Sequence, residues 1–160
     1  MGILVLICIT ACLMLLDIAL KSIMEGYLAK GEERTACKGK LILRKAYNRG
    51  FCLDLLEEKP EVVKYASAYA AVLLTIYQLF TLMQKKHGVK KLGLSLITAG
   101  AWSNTFDRWL RGYVIDYVGF QTKWKKVTEL TFNLADFFIA AGGILLLLCS
   151  LFRGKKENNE

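Results

Sequence analysis

Four long apolar runs, separated by polar stretches, dominate the pattern of this chain. The runs cover residues 3–23, 62–83, 92–110 and 130–152. Each run is long enough to cross a hydrocarbon core of about 30 Å as a helix. The chain has one proline and no Ser- or Gly-rich tract that would indicate a linker. Residues 1–160 are therefore predicted to form a single membrane-embedded domain.

The polar stretch between the first two runs has the pattern of a small sheet. Residues 40–47 alternate loosely between apolar and polar positions, as a strand with one apolar face does. Asn48, Arg49 and Gly50 then indicate a turn. Acids and the sole proline in residues 57–61 suit the first turn of a helix. The predicted fold is an all-α integral membrane protein, with four transmembrane helices and a small extracytoplasmic β-sheet after helix 1.

Composition supports a membrane protein and argues against several other classes. The chain is 54% hydrophobic and 22% charged, which is too apolar for an ordinary soluble domain. The net charge of +8 fits loops that face anionic lipid, and no basic, aromatic-bearing face indicates nucleic-acid binding. The five cysteines form no Cys-x-x-Cys pair, and His87 is the only histidine, so neither a metal site nor a cofactor is predicted. A disulfide between Cys37 and Cys52 is left open.

The orientation of the chain is read from its basic loops. Residues 84–91 carry basic charge and no acid, as is typical of a cytoplasmic loop. An even number of predicted helices places both termini on that same side. Because residues 25–59 also carry many Lys and Arg residues, the charge count alone does not decide the orientation.

The third and fourth runs carry matching stripes, each small at one end and polar at the other. Small residues let two helices approach closely, so we expect these helices to pack together with their polar ends on one side of the membrane. The stripes consist of Gly93, Ile97, Gly100, Asn104 and Asp107 on the third run and Asn133, Asp136, Ala140 and Gly143 on the fourth.

Acidic residues in or beside the apolar runs are the candidate functional groups. Asp107, Asp116 and Asp136 lie there, and a charge in an apolar span is costly and usually marks function. Two aspartates held close together share one proton, so such a pair can activate water for attack on an amide carbonyl. A small proton or ion transporter that uses intramembrane carboxylates is the alternative. A structural ion pair is the plainer interpretation of Asp17 and Lys21, which lie four residues apart.

The order and spacing of these polar motifs resemble the signal peptidase II family, the bacterial lipoprotein signal peptidases. The most specific motifs are a GA-x-x-N-x-x-DR block followed by G-x-V-x-D, and then FN-x-AD. The matching positions are Asp17, Lys21, Asn48, Gly50, Gly100, Ala101, Asn104, Asp107, Arg108, Gly112, Val114, Asp116, Phe132, Asn133, Ala135 and Asp136.

The resemblance implies an intramembrane aspartyl endopeptidase of the bacterial plasma membrane, monomeric and without a cofactor, with its active site near the outer surface. Its partners would be membrane lipids and diacylglyceryl-modified prolipoproteins, cleaved just before the modified cysteine. Asp116, expected in a loop past the third run, and Asp136 on the fourth would form the catalytic dyad. The implied supporting or substrate-binding residues are Asp17, Lys21, Asn48, Asn104, Asp107, Arg108 and Asn133.

Several positions depart from the pattern of this family. Ser103 replaces a glycine, Phe137 replaces Ser or Thr, and Ile18 replaces a glutamine. Phe51 and Cys52 replace small residues after the Asn-x-Gly motif. None of these changes removes a carboxylate. They indicate a divergent member, and a catalytically weak relative that binds lipidated chains is a second alternative.

Overall fold

A computed structural model describes residues 2–51 and 55–157. These residues form four long helices, one short helix and four strands. The disulfide left open above involves Cys52, which lies outside the described residues. In chain order the elements are α1 Ile3–Tyr27, β1 Glu33–Ala36, β2 Leu41–Asn48, α2 Pro60–Leu82, α3 Gly88–Leu110, β3 Val114–Phe120, α4 Lys125–Thr128, β4 Thr131–Phe132 and α5 Leu134–Glu157.

Three of the long helices meet the requirements of a membrane span. Within the described residues, α1, α2 and residues 134–152 of α5 are long and apolar enough to cross a bilayer, so the protein is a multi-pass membrane protein. Their outer faces expose large apolar side chains such as Leu4, Phe80 and Leu151, which suit contact with lipid. Three of the predicted spans are thereby confirmed. The third predicted run is also helical, but α3 is less apolar because its inward face carries buried polar side chains.

The helix α3 lies at the centre and packs against α1, α2 and α5. Its contact with α5 is close: a Cβ atom at Gly100 would lie 2.5 Å from the carbonyl oxygen of Ala135. The predicted packing of these two helices is confirmed. The prediction that Gly143 takes part is wrong, because a Cβ atom there would meet nothing within 4 Å. Gly142 makes the contact instead, since the contacting face follows Ala135 and not Asn133, which precedes the helix.

The sheet has the strand order β1-β2-β3-β4, and every neighbouring pair is antiparallel. The strand predicted at residues 40–47 is confirmed as β2. The small sheet predicted after helix 1 is confirmed in β1 and β2, but it is larger than predicted, because β3 and β4, which follow α3, complete it. Four successive residues of β3 are buried, so this strand lacks the alternation that reveals a half-exposed strand.

A short strand and a side-chain cap precede α5. The fourth run was predicted to be helical from residue 130, but Thr131 and Phe132 form β4 against β3 and the helix begins at Leu134. The backbone N–H of Asp136 donates to Asn133 Oδ1 at 3.0 Å, and the backbone N–H of Asn133 donates to Asp136 Oδ2 at 2.9 Å. This reciprocal pair is a capping box, which fixes where the helix starts and where Asp136 points.

Candidate active site

The two aspartates assigned to the dyad line the same cavity, although one of them lies in an unexpected element. Asp116 is on strand β3 and not in a loop, and Asp136 is in the first turn of α5. Asn133 lies between them: its Nδ2 donates to Asp116 Oδ1 at 2.6 Å, while its backbone N–H donates to Asp136. A single residue therefore holds both carboxylates.

Two further asparagines complete the hydrogen bonding of the carboxylates. Asn48 Nδ2 donates to Asp116 Oδ2 at 3.4 Å, and Asn104 Nδ2 donates to Asp136 Oδ1 at 3.2 Å. With the two bonds from Asn133, all four carboxyl oxygens of the pair accept a hydrogen bond. The structure thus brings three asparagines, from β2, α3 and the residue before α5, to the two aspartates.

The protonation of Asp116 is shifted by its surroundings. Burial and, after it, the negative charge of Asp136 raise the pKa of this carboxyl from 3.8 to about 7. Hydrogen bonds from Asn133 and Asn48 oppose the shift in this pKa because they stabilise the carboxylate form. Near neutral pH the pair can therefore hold one proton, which is the state that acid–base catalysis by two carboxyl groups requires.

A buried ion network is connected to Asp136 through Asn104. The ammonium of Lys21 lies 2.8 Å from Asp17 Oδ2 and 3.2 Å from Asp107 Oδ2, and all three side chains are fully buried. Lys21 Nζ also donates to Asn104 Oδ1 at 2.7 Å. Because the oxygen of this amide faces Lys21, its nitrogen is the end that faces Asp136.

The same network reaches strand β3. The backbone N–H of Ile115, next to Asp116, donates to Asp107 Oδ2 at 3.3 Å. Arg111 also pairs with Asp107. Ser103, one of the departures from the family pattern, donates to Asp17 Oδ2 at 2.5 Å. These contacts give Asp107 and Ser103 roles in positioning the backbone and side chains around the aspartates.

Arg108 lies at the wall of the cavity, close to the turn after β2. Its Nη2 donates to the carbonyl oxygen of Gly50 at 2.7 Å, and its guanidinium lies 5.7 Å from the ring centre of Phe51. Its buried Nε has no hydrogen-bond partner among the residues that the structure describes. Arg108 is thus tied to the turn that follows Asn48, and it lines the cavity.

The cavity has a volume of about 720 Å³ and lies beneath the sheet, between α2, α3 and α5. Most of its wall is apolar, including Ala101, Phe132, Ile139 and Ala140. Within the described residues, no group of three His, Cys, Asp or Glu side chains could hold a metal ion. An apolar chain could therefore lie along this wall with a polar bond presented to the carboxyl pair.

Arg44 is a residue of this region that the sequence prediction missed. Its guanidinium donates to Thr131 Oγ1 at 2.8 Å, to the carbonyl oxygen of Leu130 at 2.9 Å and to that of Thr128. It thereby holds the segment that leads into the α5 cap. The one signal in the sequence is Gly119, a glycine within a strand, where a Cβ atom would lie 2.9 Å from Arg44 Nη2.

Together, the fold and the site define a class: a multi-pass membrane protein with a buried carboxyl pair at the wall of an apolar cavity. A family model described as signal peptidase (SPase) II matches residues 9–152. The chain therefore belongs to the signal peptidase II family, a family of peptidases, and the resemblance seen in its motifs is confirmed.

Curated relatives agree with this assignment, and two solved structures share the fold. The chain is 33% identical to the lipoprotein signal peptidase of Syntrophomonas wolfei over 135 residues, which cover 84% of each chain. It is 33% identical to that of Sinorhizobium fredii over 144 residues, 89% of this chain and 84% of the relative. Two structures of bacterial membrane enzymes, each 21% identical, share the fold with TM-scores of 0.82 and 0.76. They cover 95% and 92% of this chain and 90% and 92% of their own.

Proposed function

We propose that this protein is a lipoprotein signal peptidase that uses Asp116 and Asp136 as its catalytic dyad. It removes signal peptides from prolipoproteins by hydrolysing the peptide bond just before a diacylglyceryl-modified cysteine. The observation that carries the proposal is the double contact of Asn133, which holds both carboxyl groups at the wall of an apolar cavity. Membership of a peptidase family supports the reaction class.

The raised pKa of Asp116 is the basis on which we divide the roles of the two carboxyl groups. Asp116, whose pKa is raised to about 7, is the group that keeps the shared proton. Asp136 then takes a proton from a water molecule as the water oxygen attacks the scissile carbonyl. Asp116 protonates the carbonyl oxygen to give a tetrahedral intermediate. As the C–N bond breaks, Asp136 returns its proton to the amine of the cysteine and one hydroxyl of the intermediate returns a proton to Asp116, so the acid product leaves and the dyad is restored. Asn48, Asn104 and Asn133 are positioning residues in this scheme, since each donates to a carboxyl oxygen.

The remaining predicted residues support the pair from outside. Lys21 holds the amide of Asn104, and Asp17 and Asp107 balance the charge of Lys21. Arg108 contributes its guanidinium to the polar part of the cavity wall, where a carbonyl oxygen of the substrate can accept a hydrogen bond. The apolar wall suits both the acyl chains and the apolar signal peptide of a diacylglyceryl-modified substrate.

In the proposed topology α3 also spans the membrane, which brings the number of spans to four, and the chain forms a single domain. At about 1.5 Å per residue, the 23 residues of α3 reach about 35 Å, enough to cross the bilayer. The sheet and the carboxyl pair then lie at one end of the bundle, and the basic α2–α3 loop lies at the other. With that loop in the cytoplasm of a bacterium, the site faces the outer surface of the plasma membrane, and both termini are cytoplasmic. The enzyme is proposed to act as a monomer.

A weak relative that binds lipidated chains is the second candidate, because one departure from the family pattern lines the cavity. Phe137 follows Asp136 directly and packs against Phe120 and Phe132, with ring centres 6.1 Å apart in both pairs. This aromatic cluster takes up space where the family has a small hydroxyl residue, so it would restrict the substrates that fit. Membership of a peptidase family argues against the transporter.

Cleavage of a synthetic prolipopeptide tests the proposal. The purified protein in lipid nanodiscs should cut a diacylglyceryl-modified peptide before its cysteine and leave the matched unmodified peptide intact. Mass spectrometry of the products gives the bond that is cut. Binding of several lipidated peptides without cleavage of any would establish the weak relative instead. Proton flux across liposomes with no peptidase activity would establish the transporter.

A further inference from the structure

The segment of residues 121–129 joins β3 to β4 and is called here the Trp124 loop. It contains the short helix α4 and the sequence Lys-Trp-Lys-Lys. The Trp124 side chain is 75% exposed, and Lys123, Lys125 and Lys126 are exposed around it. A large aromatic side chain in water, ringed by cations, is unusual for a surface that meets only solvent. At a membrane–water interface the same combination is favourable, because the indole lies at headgroup level and lysines meet phosphates.

Hydrogen bonds hold the Trp124 loop in one shape. The backbone N–H of Thr122 donates to Thr128 Oγ1 at 3.1 Å, and Thr128 Oγ1 donates to the carbonyl oxygen of Thr122 at 3.2 Å. These bonds close the base of the loop. Arg44 donates to the carbonyl oxygen of Thr128 and ties that base to β2. The exposure of Trp124 is therefore a feature of an ordered loop and not of a free chain end.

The surroundings of the Trp124 loop point to a bilayer as its partner. The loop runs directly into the cavity, since its last residue, Glu129, and the next residue, Leu130, line the cavity wall. At the same end of the helix bundle, Lys64 lies 4.7 Å from the ring centre of Trp109 and Arg34 lies 4.2 Å from that of Tyr27. Exposed aromatic side chains paired with cations at one level of a helix bundle are typical of a membrane interface.

We propose that the Trp124 loop docks on a bilayer surface that carries anionic lipids. The Trp124 indole lies among the headgroups, and Lys123 and Lys126 pair with lipid phosphates. Lys125 lies 4.0 Å from Glu129, which offsets part of its charge, so the proposal rests on the other two lysines. The inference rests on the proposed topology, in which this end of the bundle meets the outer leaflet. Docking would fix the mouth of the cavity at the depth where a lipid-anchored substrate lies.

Tryptophan fluorescence in nanodiscs tests the docking. The signal of Trp124 is the difference between the wild type and Trp124→Phe, since the chain has two other tryptophans. In nanodiscs that contain phosphatidylglycerol, this signal should be blue-shifted, protected from acrylamide, and quenched more by spin labels near the headgroup than by labels deep in the acyl chains. In nanodiscs of phosphatidylcholine alone, each effect should be smaller.

Paired charge variants show whether the lysines of the loop are responsible. The double variant Lys123→Gln with Lys126→Gln leaves the Lys125 pair intact and should lose the dependence on phosphatidylglycerol. The control, Lys85→Gln with Lys86→Gln, removes the same charge from the opposite end of the bundle and should keep the dependence on phosphatidylglycerol. Equal losses in both variants would overturn the proposal.

Other outcomes identify a different partner or none. If acrylamide quenches the Trp124 emission fully in both kinds of nanodisc, the loop remains in water and the proposal is overturned. A shift that follows only the addition of a diacylglyceryl peptide would assign the loop to the substrate and would also overturn the proposal. Because every readout is spectroscopic, failure of the proposed peptidase activity leaves this test unaffected.

Discussion

Replacement of Lys21 by Met removes the one cation that lies between Asp17 and Asp107. The ammonium is 2.8 Å from the first carboxylate and 3.2 Å from the second, and all three groups are fully buried. Asp107 retains Arg111 as a partner, but Asp17 is left with hydrogen bonds from Ser103 and Tyr117 and no cation among its described contacts. The variant therefore buries one uncompensated negative charge.

Removal of one partner of a buried ion pair costs about 3–5 kcal/mol, and the complete burial of this network favours that range. Lys21→Met should therefore lower the free energy of unfolding by about that amount. The double variant with Asp17→Asn restores the balance of charge and should recover most of the loss, because Ser103 can still donate to the new amide oxygen. Lys38→Met, at an exposed turn position, is the control and should change stability by less than about 0.5 kcal/mol.

Equilibrium unfolding in mixed micelles, followed by circular dichroism, measures these stabilities. Cleavage kinetics provide a second readout. If Lys21 had a purely structural role, stability and kcat would be lost and recovered together. Lys21 orients the amide of Asn104 toward Asp136, so Lys21→Met should lower kcat more than it raises KM. The double variant should regain stability but not kcat. A Lys21→Met protein as stable as Lys38→Met would refute the assigned network.

Three further predictions concern the proton, the helix contact and the α5 cap. Since the pKa of Asp116 is raised to about 7, cleavage should fall as the pH rises through about 7. The raised pKa favours the neutral carboxyl in the folded state, so the stability of the wild type relative to Asp116→Asn should decline as the pH rises from about 4 to about 7. Gly100→Ala forces a Cβ atom against the carbonyl oxygen of Ala135 and should cost about 1–3 kcal/mol in unfolding free energy, whereas Gly143→Ala, with open space, should cost nothing. Arg44→Lys replaces a planar guanidinium, which donates from two separate nitrogens, by a single ammonium, so it cannot hold Thr131, Leu130 and Thr128 together and should lower kcat. A circular dichroism spectrum like that of the wild type would show that the variant is folded.

The helices and their main contact were predictable because local pattern determines them. Apolar runs of this length leave few alternatives to membrane helices, and glycines at Gly93 and Gly100 mark the face where α5 approaches. The spacing of Asn133 and Asp136 also suits a capping box, so the start of α5 could have been predicted from these two residues.

The sheet and its role at the site were not predictable from local pattern. Strand β3 is buried along most of its length, so it reads as the end of an apolar run and not as an alternating strand. Its partner β2 lies far away in sequence, and only the paired register brings Ala46 beside Asp116. For the same reason the contacts of Arg44 with the segment before α5 could not be predicted from its own position in the sequence, and the glycine at position 119 is the one distant sign of them.

The most direct test of the central claim is the turnover of Asp116→Asn, Asp136→Asn and the double variant on a diacylglyceryl prolipopeptide. Glu61→Gln, an exposed carboxyl on α2, serves as the matched control. Each single variant should lose at least about 100-fold in kcat while still binding the peptide, because acid–base catalysis depends on both groups. The double variant should be little worse than either single one, since the two carboxyl groups act as a unit. Wild-type turnover by a folded Asp116→Asn or Asp136→Asn protein would contradict the dyad.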